Sequence, residues 1–182
     1  PKPKPVLDAV SSFLLECGNP GRGGHWLALE GARKIFDVRE NLAQYLGIKA
    51  SEQLVFTPGC THSINYVLKG LSEKGYFEPG DLVLTGALEH NAVTRPLGQI
   101  TKKHSLEISV LDTESNEIKL DKKPKLVILT EASNVTGAVL DLDKISAYCR
   151  QNDIPLLVDA AQTAGKLAVD LGGKHQGVTF YC

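Results

Sequence analysis

Five short apolar runs constrain this chain more than any other feature: residues 54–57, 82–85, 126–130, 156–159 and 178–181. None of them alternates apolar with polar positions. A strand with one wet face alternates, whereas a strand apolar at consecutive positions is covered on both faces, as in a parallel sheet layered between helices. Segments of helical period lie between several runs. Ile64, Val67, Leu68 and Leu71 follow the first run, and Leu142, Ile145 and Cys149 precede the fourth, with Asp141 or Asp143 placed to cap that helix. The expected architecture is α/β, a mostly parallel sheet flanked by helices.

Upstream, residues 6–17 read as one helix. Ile35, Phe36, Val38, Leu42, Tyr45 and Leu46 mark a second, long amphipathic one that Gly47 can end in a left-handed turn. The stretch 18–25 between them is glycine-rich loop. Leu106, Ile108 and Val110 alternate, and Ile118 and Leu120 follow a polar turn, which suggests one more strand and a short hairpin arm. No repeat and no long linker divides the chain, so residues 1–182 are expected to form one domain with one core.

Charge and cysteine usage narrow the function classes. Lys and Arg number 20 against 21 Asp and Glu, too balanced for binding driven by nucleic-acid phosphates. There is no apolar stretch of membrane-spanning length, and Pro1-Lys2-Pro3-Lys4-Pro5 lacks a signal-peptide core, so a cytoplasmic protein without membrane contact is expected. Cys17, Cys60, Cys149 and Cys182 form no C-x-x-C pair, which fits reduced thiols and no metal site. The absence of methionine and the stop at Cys182 directly after an apolar run read like an excerpt of a longer chain.

In open parallel sheets, ligands gather beyond the carboxyl ends of the strands. The residues there are small and polar. Gly59-Cys60-Thr61 is a glycine turn entering a helix; either a phosphate sits on its free amides, or Thr61 or Ser63 merely caps it. Asp159 ends an apolar run and needs a partner, which is either a helix N-terminus or Arg, or the protonated ring nitrogen of a cofactor. His90 is either a structural hydrogen-bonder or an acid-base group. If the strand ends share one edge, Thr61, His90, Asn134 and Asp159 together make a set suited to pyridoxal 5'-phosphate.

An ordered series of short motifs runs through positions 19 to 170: Asn19-Pro20 with His25, Phe56-Thr57-Pro58-Gly59-Cys60-Thr61, Asn65, Glu89-His90-Asn91-Ala92-Val93 with Pro96, Ser133-Asn134-Val135-Thr136-Gly137, and Asp159-Ala160-Ala161-Gln162 with Gly165 and Asp170. In this the chain resembles the class V aminotransferase family, and within it the cysteine desulfurase group. The resemblance implies the large, cofactor-binding domain of a fold-type-I transferase dependent on pyridoxal 5'-phosphate, spanning residues 1–182 and cut at both ends. It implies that Thr61 and the backbone of Gly59 and Cys60 hold the phosphate, and that His90 stacks on the ring and shuttles protons as the catalytic residue. Asn134 and Gln162 would lie near the phenolic oxygen or the substrate carboxylate, with Asp159 pairing with the ring nitrogen.

The resemblance further implies a parent enzyme that moves sulfur from L-cysteine to an enzyme thiol and releases alanine, works as a homodimer and passes sulfur to an acceptor protein. A selenocysteine lyase, another class V aminotransferase, or a nonenzymatic α/β domain binding a ligand or partner are the alternatives. His62 stands where the family has an acidic residue. The family's cofactor-anchoring lysine follows a strand matching 178–181, so that lysine and the nucleophilic cysteine are expected beyond Cys182, and residues 1–182 alone are expected to be inactive. Lys166 and Lys174 do not match the lysine's position.

Overall fold

The run at 126–130 becomes the centre of a five-stranded sheet whose order is β2-β1-β3-β4-β5. The strands are β1 (Leu82–Gly86), β2 (Glu107–Leu111), β3 (Leu126–Thr130), β4 (Leu156–Asp159) and β5 (Phe180–Tyr181), and every neighbouring pair is parallel. The structure is a computed structural model that describes residues 1–21, 23–111 and 118–182. It divides into two compact units, Pro1–Leu54 and Val55–Cys182, and the sheet belongs to the second.

The second unit is layered as the consecutive apolar runs require. Val83, Leu126, Ile128 and Leu157 point to one face and pack with Ile64 and Leu68 of α3 (Cys60–Glu73) and Val93 and Leu97 of α4 (Asn91–His104). Leu84, Val127, Leu129, Leu156 and Val158 point to the other face, against Ile145 and Cys149 of α5 (Leu142–Gln151). Each fully buried aliphatic side chain is worth roughly 1.5–3 kcal/mol. An exposed pair such as Lys122–Glu107 contributes about 0–1 kcal/mol, so the two apolar layers dominate the stability of this unit. Asp141 caps α5, its Oδ1 accepting from the Lys144 amide at 3.1 Å.

The first unit holds α1 (Lys4–Glu16), α2 (Trp26–Tyr45) and a short 3-10 turn, Ser51–Gln53. Gly47 adopts φ 71°, the left-handed turn that ends α2. Arg39 on α2 donates to the Leu54 carbonyl at 2.7 Å.

One local expectation is corrected. Residues 54–57 form no strand: Val55 and Phe56 are exposed, and Thr57 turns its hydroxyl onto the Gly59 amide at 3.3 Å in a turn that contains Pro58. Helix α2 begins at Trp26, directly after the glycine-rich loop at 18–25, with His25 as its cap. The expected hairpin arm falls partly on residues 112–117, outside the described residues; Ile118 and Leu120 are not in a strand and pack against the α5-side core. Among the described residues no helix is long and apolar enough to cross a membrane.

Candidate functional site

Parallel pairing carries the ends of β1, β3 and β4 to one edge, where Thr130 and Asp159 are register partners. Asp159 is only 4% exposed. Its Oδ1 accepts the Ala161 amide at 3.0 Å and the Cys60 thiol at 3.2 Å. Among the described residues Oδ2 accepts no hydrogen bond, and no Lys, Arg or His pairs with this carboxylate. A buried carboxylate with one oxygen committed and no cation nearby is suited to a positively charged donor.

The thiol that reaches Asp159 belongs to the first residue of α3. Gly59 is the N-cap, and among the described residues no side chain caps the helix: Ser63 turns instead to Thr57, with 2.7 Å between the hydroxyl oxygens. The His62 and Ser63 amides return to the Gly59 carbonyl, while those of Cys60 and Thr61 donate to no backbone carbonyl among the described residues. Capping by Thr61 or Ser63 is therefore not realised. Open amides at the positive end of a helix dipole, with the exposed Thr61 hydroxyl beside them, form an anion cradle.

His90 is the N-cap of α4. Its Nδ1 accepts the Ala92 amide at 3.1 Å, so Nε2 is the nitrogen left to carry a proton on this exposed ring. The preceding Glu89 is fastened to β3, its Oε1 accepting from the Thr130 amide at 2.8 Å and its Oε2 from the Thr130 hydroxyl at 2.7 Å. Gly86 leaves room for that carboxyl; a Cβ there would lie 2.6 Å from Glu89 Oε1. Burial, opposed by the Thr130 hydrogen bonds and reinforced by the charge of Asp159, pushes Glu89 up to about 7.

Thr61, His90 and Asp159 thus share one corner: Thr61 adjoins the residue that touches Asp159, and His90 adjoins the residue that holds Asp159's register partner. Asn134 lies on the exposed turn after β3, where the Ser133 hydroxyl accepts the Val135 and Thr136 amides, each at 3.3 Å. Gln162 is exposed in the turn after β4. Neither side-chain amide makes a hydrogen bond among the described residues. Lys174 is paired with Asp143 on α5, and Lys166 is exposed in the turn beyond Gln162.

Three features of this corner were not singled out from the sequence. They are the Cys60 side chain, the Glu89 clamp, and a second buried acid, Glu131, which accepts from the hydroxyls of Thr163 and, at 3.4 Å, Tyr181. Cys182 adds a half-buried thiol, pushed up to about 11 by burial and then by the charge of Asp159. Glu131 was signalled only by its place directly after the run at 126–130, and Glu89 by its place shortly after the run at 82–85 and in the Glu89-His90-Asn91-Ala92-Val93 motif. Among the described residues no cluster of His, Cys, Asp and Glu is arranged to hold a metal.

The family model for aminotransferase class-V matches residues 1–182. A probable cysteine desulfurase of Methanothermobacter thermautotrophicus is 31% identical over 179 residues, covering 94% of this chain and 44% of its own length. The apo structure of a cysteine desulfurase from Thermococcus onnurineus NA1 superimposes with a TM-score of 0.85 at 29% identity, covering 96% of this chain and 45% of that one. The cysteine desulfurase CsdA from Escherichia coli gives a TM-score of 0.82 at 25% identity, with 99% and 47% covered. The chain spans less than half the length of these relatives.

Proposed function

Because this chain belongs to the class-V aminotransferase family, we propose that residues 1–182 make up the incomplete cofactor-binding large domain of a pyridoxal 5'-phosphate enzyme acting on L-cysteine as a desulfurase. One observation carries this reading: the buried Asp159 carboxylate, with Oδ2 uncommitted and no cation beside it among the described residues, next to the uncapped start of α3. A phosphorylated pyridinium is anionic at one end and cationic at the other, which matches that pair of features.

When bound, the cofactor supplies an electron sink for carbanion chemistry at the amino-acid Cα. The chain's own residues do the rest. The amides of Cys60 and Thr61 and the Thr61 hydroxyl hold the phosphate, with Gly59 giving the backbone room to approach. Asp159 keeps a proton on the ring nitrogen, because a nearby carboxylate favours the charged ring. His90 covers the ring and moves a proton at Nε2, its Nδ1 being committed to Ala92. Asn134 and Gln162 orient the phenolic oxygen or the substrate carboxylate. The full enzyme converts L-cysteine and an enzyme thiol to alanine and an enzyme persulfide, as a cytoplasmic homodimer that passes sulfur to an acceptor protein. The anchoring lysine and the nucleophilic thiol are supplied from outside residues 1–182.

Full-length protein incubated with pyridoxal 5'-phosphate should keep a visible absorption band through dialysis, borohydride should fix that band to a lysine outside residues 1–182, and L-cysteine should yield alanine. Loss of the band on dialysis, or labelling of Lys166 or Lys174, overturns the reading.

A further inference from the structure

The contact between Cys60 and Asp159 joins the two ends of this site. Cys60 opens α3, whose amides form the anion cradle, and Asp159 ends β4, separated from Cys60 by 99 positions in sequence. The other donor to Asp159, the Ala161 amide, is two residues away and belongs to the same turn. Cys60 is therefore the long-range donor that fixes the carboxylate relative to the helix.

A carboxylate offers two oxygens, and among the described residues both donors converge on Oδ1. This fixes the rotation of the group and leaves Oδ2 as the oxygen presented to a ligand. We propose that the Cys60 side chain is a positioning residue: its S–H turns Asp159 so that Oδ2 meets the ring nitrogen of a cofactor whose phosphate rests on the α3 amides. The role rests on the cofactor reading given above and assigns the thiol a task separate from the backbone of the same residue.

The protonation state of the thiol suits that task. Burial, the hydrogen bond to Asp159 and the charge of Asp159 push Cys60 up to about 12, so the sulfur keeps its proton through the neutral range and remains a donor. A thiolate there would repel the carboxylate instead. Cys182, with its own thiol held up to about 11, likewise stays neutral there.

The test uses full-length protein stripped of cofactor, with dissociation constants measured by absorbance titration for pyridoxal 5'-phosphate and for its analogue in which the ring nitrogen is replaced by CH. The analogue has no ring proton for Asp159 to meet, so a residue acting through Asp159 matters only for the natural cofactor. Cys60→Ala should weaken pyridoxal 5'-phosphate by about tenfold, the scale expected for losing a hydrogen bond to a charged group, and leave analogue binding within about twofold. Cys60→Ser, which restores a donor, should bind the cofactor within about threefold of the unmodified protein. Equal weakening of both ligands in Cys60→Ala overturns the role, because the side chain then serves only the phosphate cradle. Unchanged cofactor binding in Cys60→Ala, or a Cys60→Ser variant as weak as Cys60→Ala, also overturns it. Unmodified protein that binds neither ligand overturns the cofactor reading itself, and this role with it.

Discussion

Thr130 holds Glu89 at both carboxyl oxygens, its amide donating to Oε1 at 2.8 Å and its hydroxyl to Oε2 at 2.7 Å. The clamp ties the segment that carries His90 to the tip of β3, directly across the register from Asp159. It also places a buried acid where burial and the charge of Asp159 disfavour ionisation, so Glu89 sits near 7 rather than at its ordinary 4.5.

A carboxyl whose folded-state pKa is raised stabilises the fold fully below its unfolded value, and that contribution is lost as pH rises through the folded value. Stability should therefore fall between about pH 4.5 and pH 7, by on the order of 2–3 kcal/mol from this group. Glu89→Gln keeps the shape, its oxygen accepting from the Thr130 amide and its NH2 donating to the Thr130 hydroxyl oxygen, and removes the titration. Thermal melting followed across that window should show a flatter pH profile for Glu89→Gln than for the unmodified protein. Parallel profiles would mean that Glu89 does not titrate there.

Asp159→Asn removes the charge and keeps the shape. Cofactor should remain detectable in the full-length variant while turnover of L-cysteine falls ~100-fold or more, the scale seen when a group that stabilises developing charge is lost. Turnover within a few-fold of normal would discard the pairing of Asp159 with the ring nitrogen.

His90 has two tasks that substitution can separate. Asparagine is a good N-cap and can accept the Ala92 amide in place of Nδ1, but it has no titrating nitrogen and no ring to stack. His90→Asn should melt within a degree or two of the unmodified protein and lose turnover, whereas His90→Ala should also lose about 1 kcal/mol of stability through the missing cap. A fully active His90→Asn variant would reduce the residue to its capping role.

How far the sequence reaches is clear from where these contacts lie. The runs at 82–85, 126–130 and 156–159 were legible as strands because a sheet covered on both faces leaves a compositional trace, and Asp159 and Gly59-Cys60-Thr61 were legible as a site because strand ends and helix starts can be located from pattern. Residues 54–57 carry the same apolar composition without strand partners, so pattern alone could not tell extended connection from strand. The start of α2 was legible only as the end of the glycine-rich loop at 18–25, since its cap is His25 rather than Ser, Thr, Asp or Asn and its first turns contain Gly31, where a Cβ would lie 2.8 Å from the Gly18 carbonyl. The side-chain contacts of Cys60 with Asp159, Glu89 with Thr130 and His175 with Asp143 bridge 99, 41 and 32 positions, and nothing local in the sequence registers such pairs.

The last of those pairs holds the segment between β4 and β5 against α5. His175 is buried; its Nδ1 accepts the Asp170 amide at 3.0 Å, which leaves Nε2 to donate to Asp143 Oδ1 at 2.7 Å. Lys174 and His175 hold the Asp143 carboxyl below its usual range, so this contact is present above that range and is lost as pH falls through the lowered value. Two residues further on, Gly177 approaches the backbone of α5 so closely that a Cβ would overlap the Ser146 carbonyl oxygen. His175→Ala should cost about 1–3 kcal/mol by leaving the Asp170 amide without its acceptor. Gly177→Ala should cost about 1–3 kcal/mol or more, because the atom it meets is backbone and has little room to retreat. Denaturant midpoints of the two single variants and the double variant check this. Both substitutions unseat the same segment, so the double variant should lose less than the sum of the singles. Strict additivity would show that the histidine and the glycine support separate pieces of the fold.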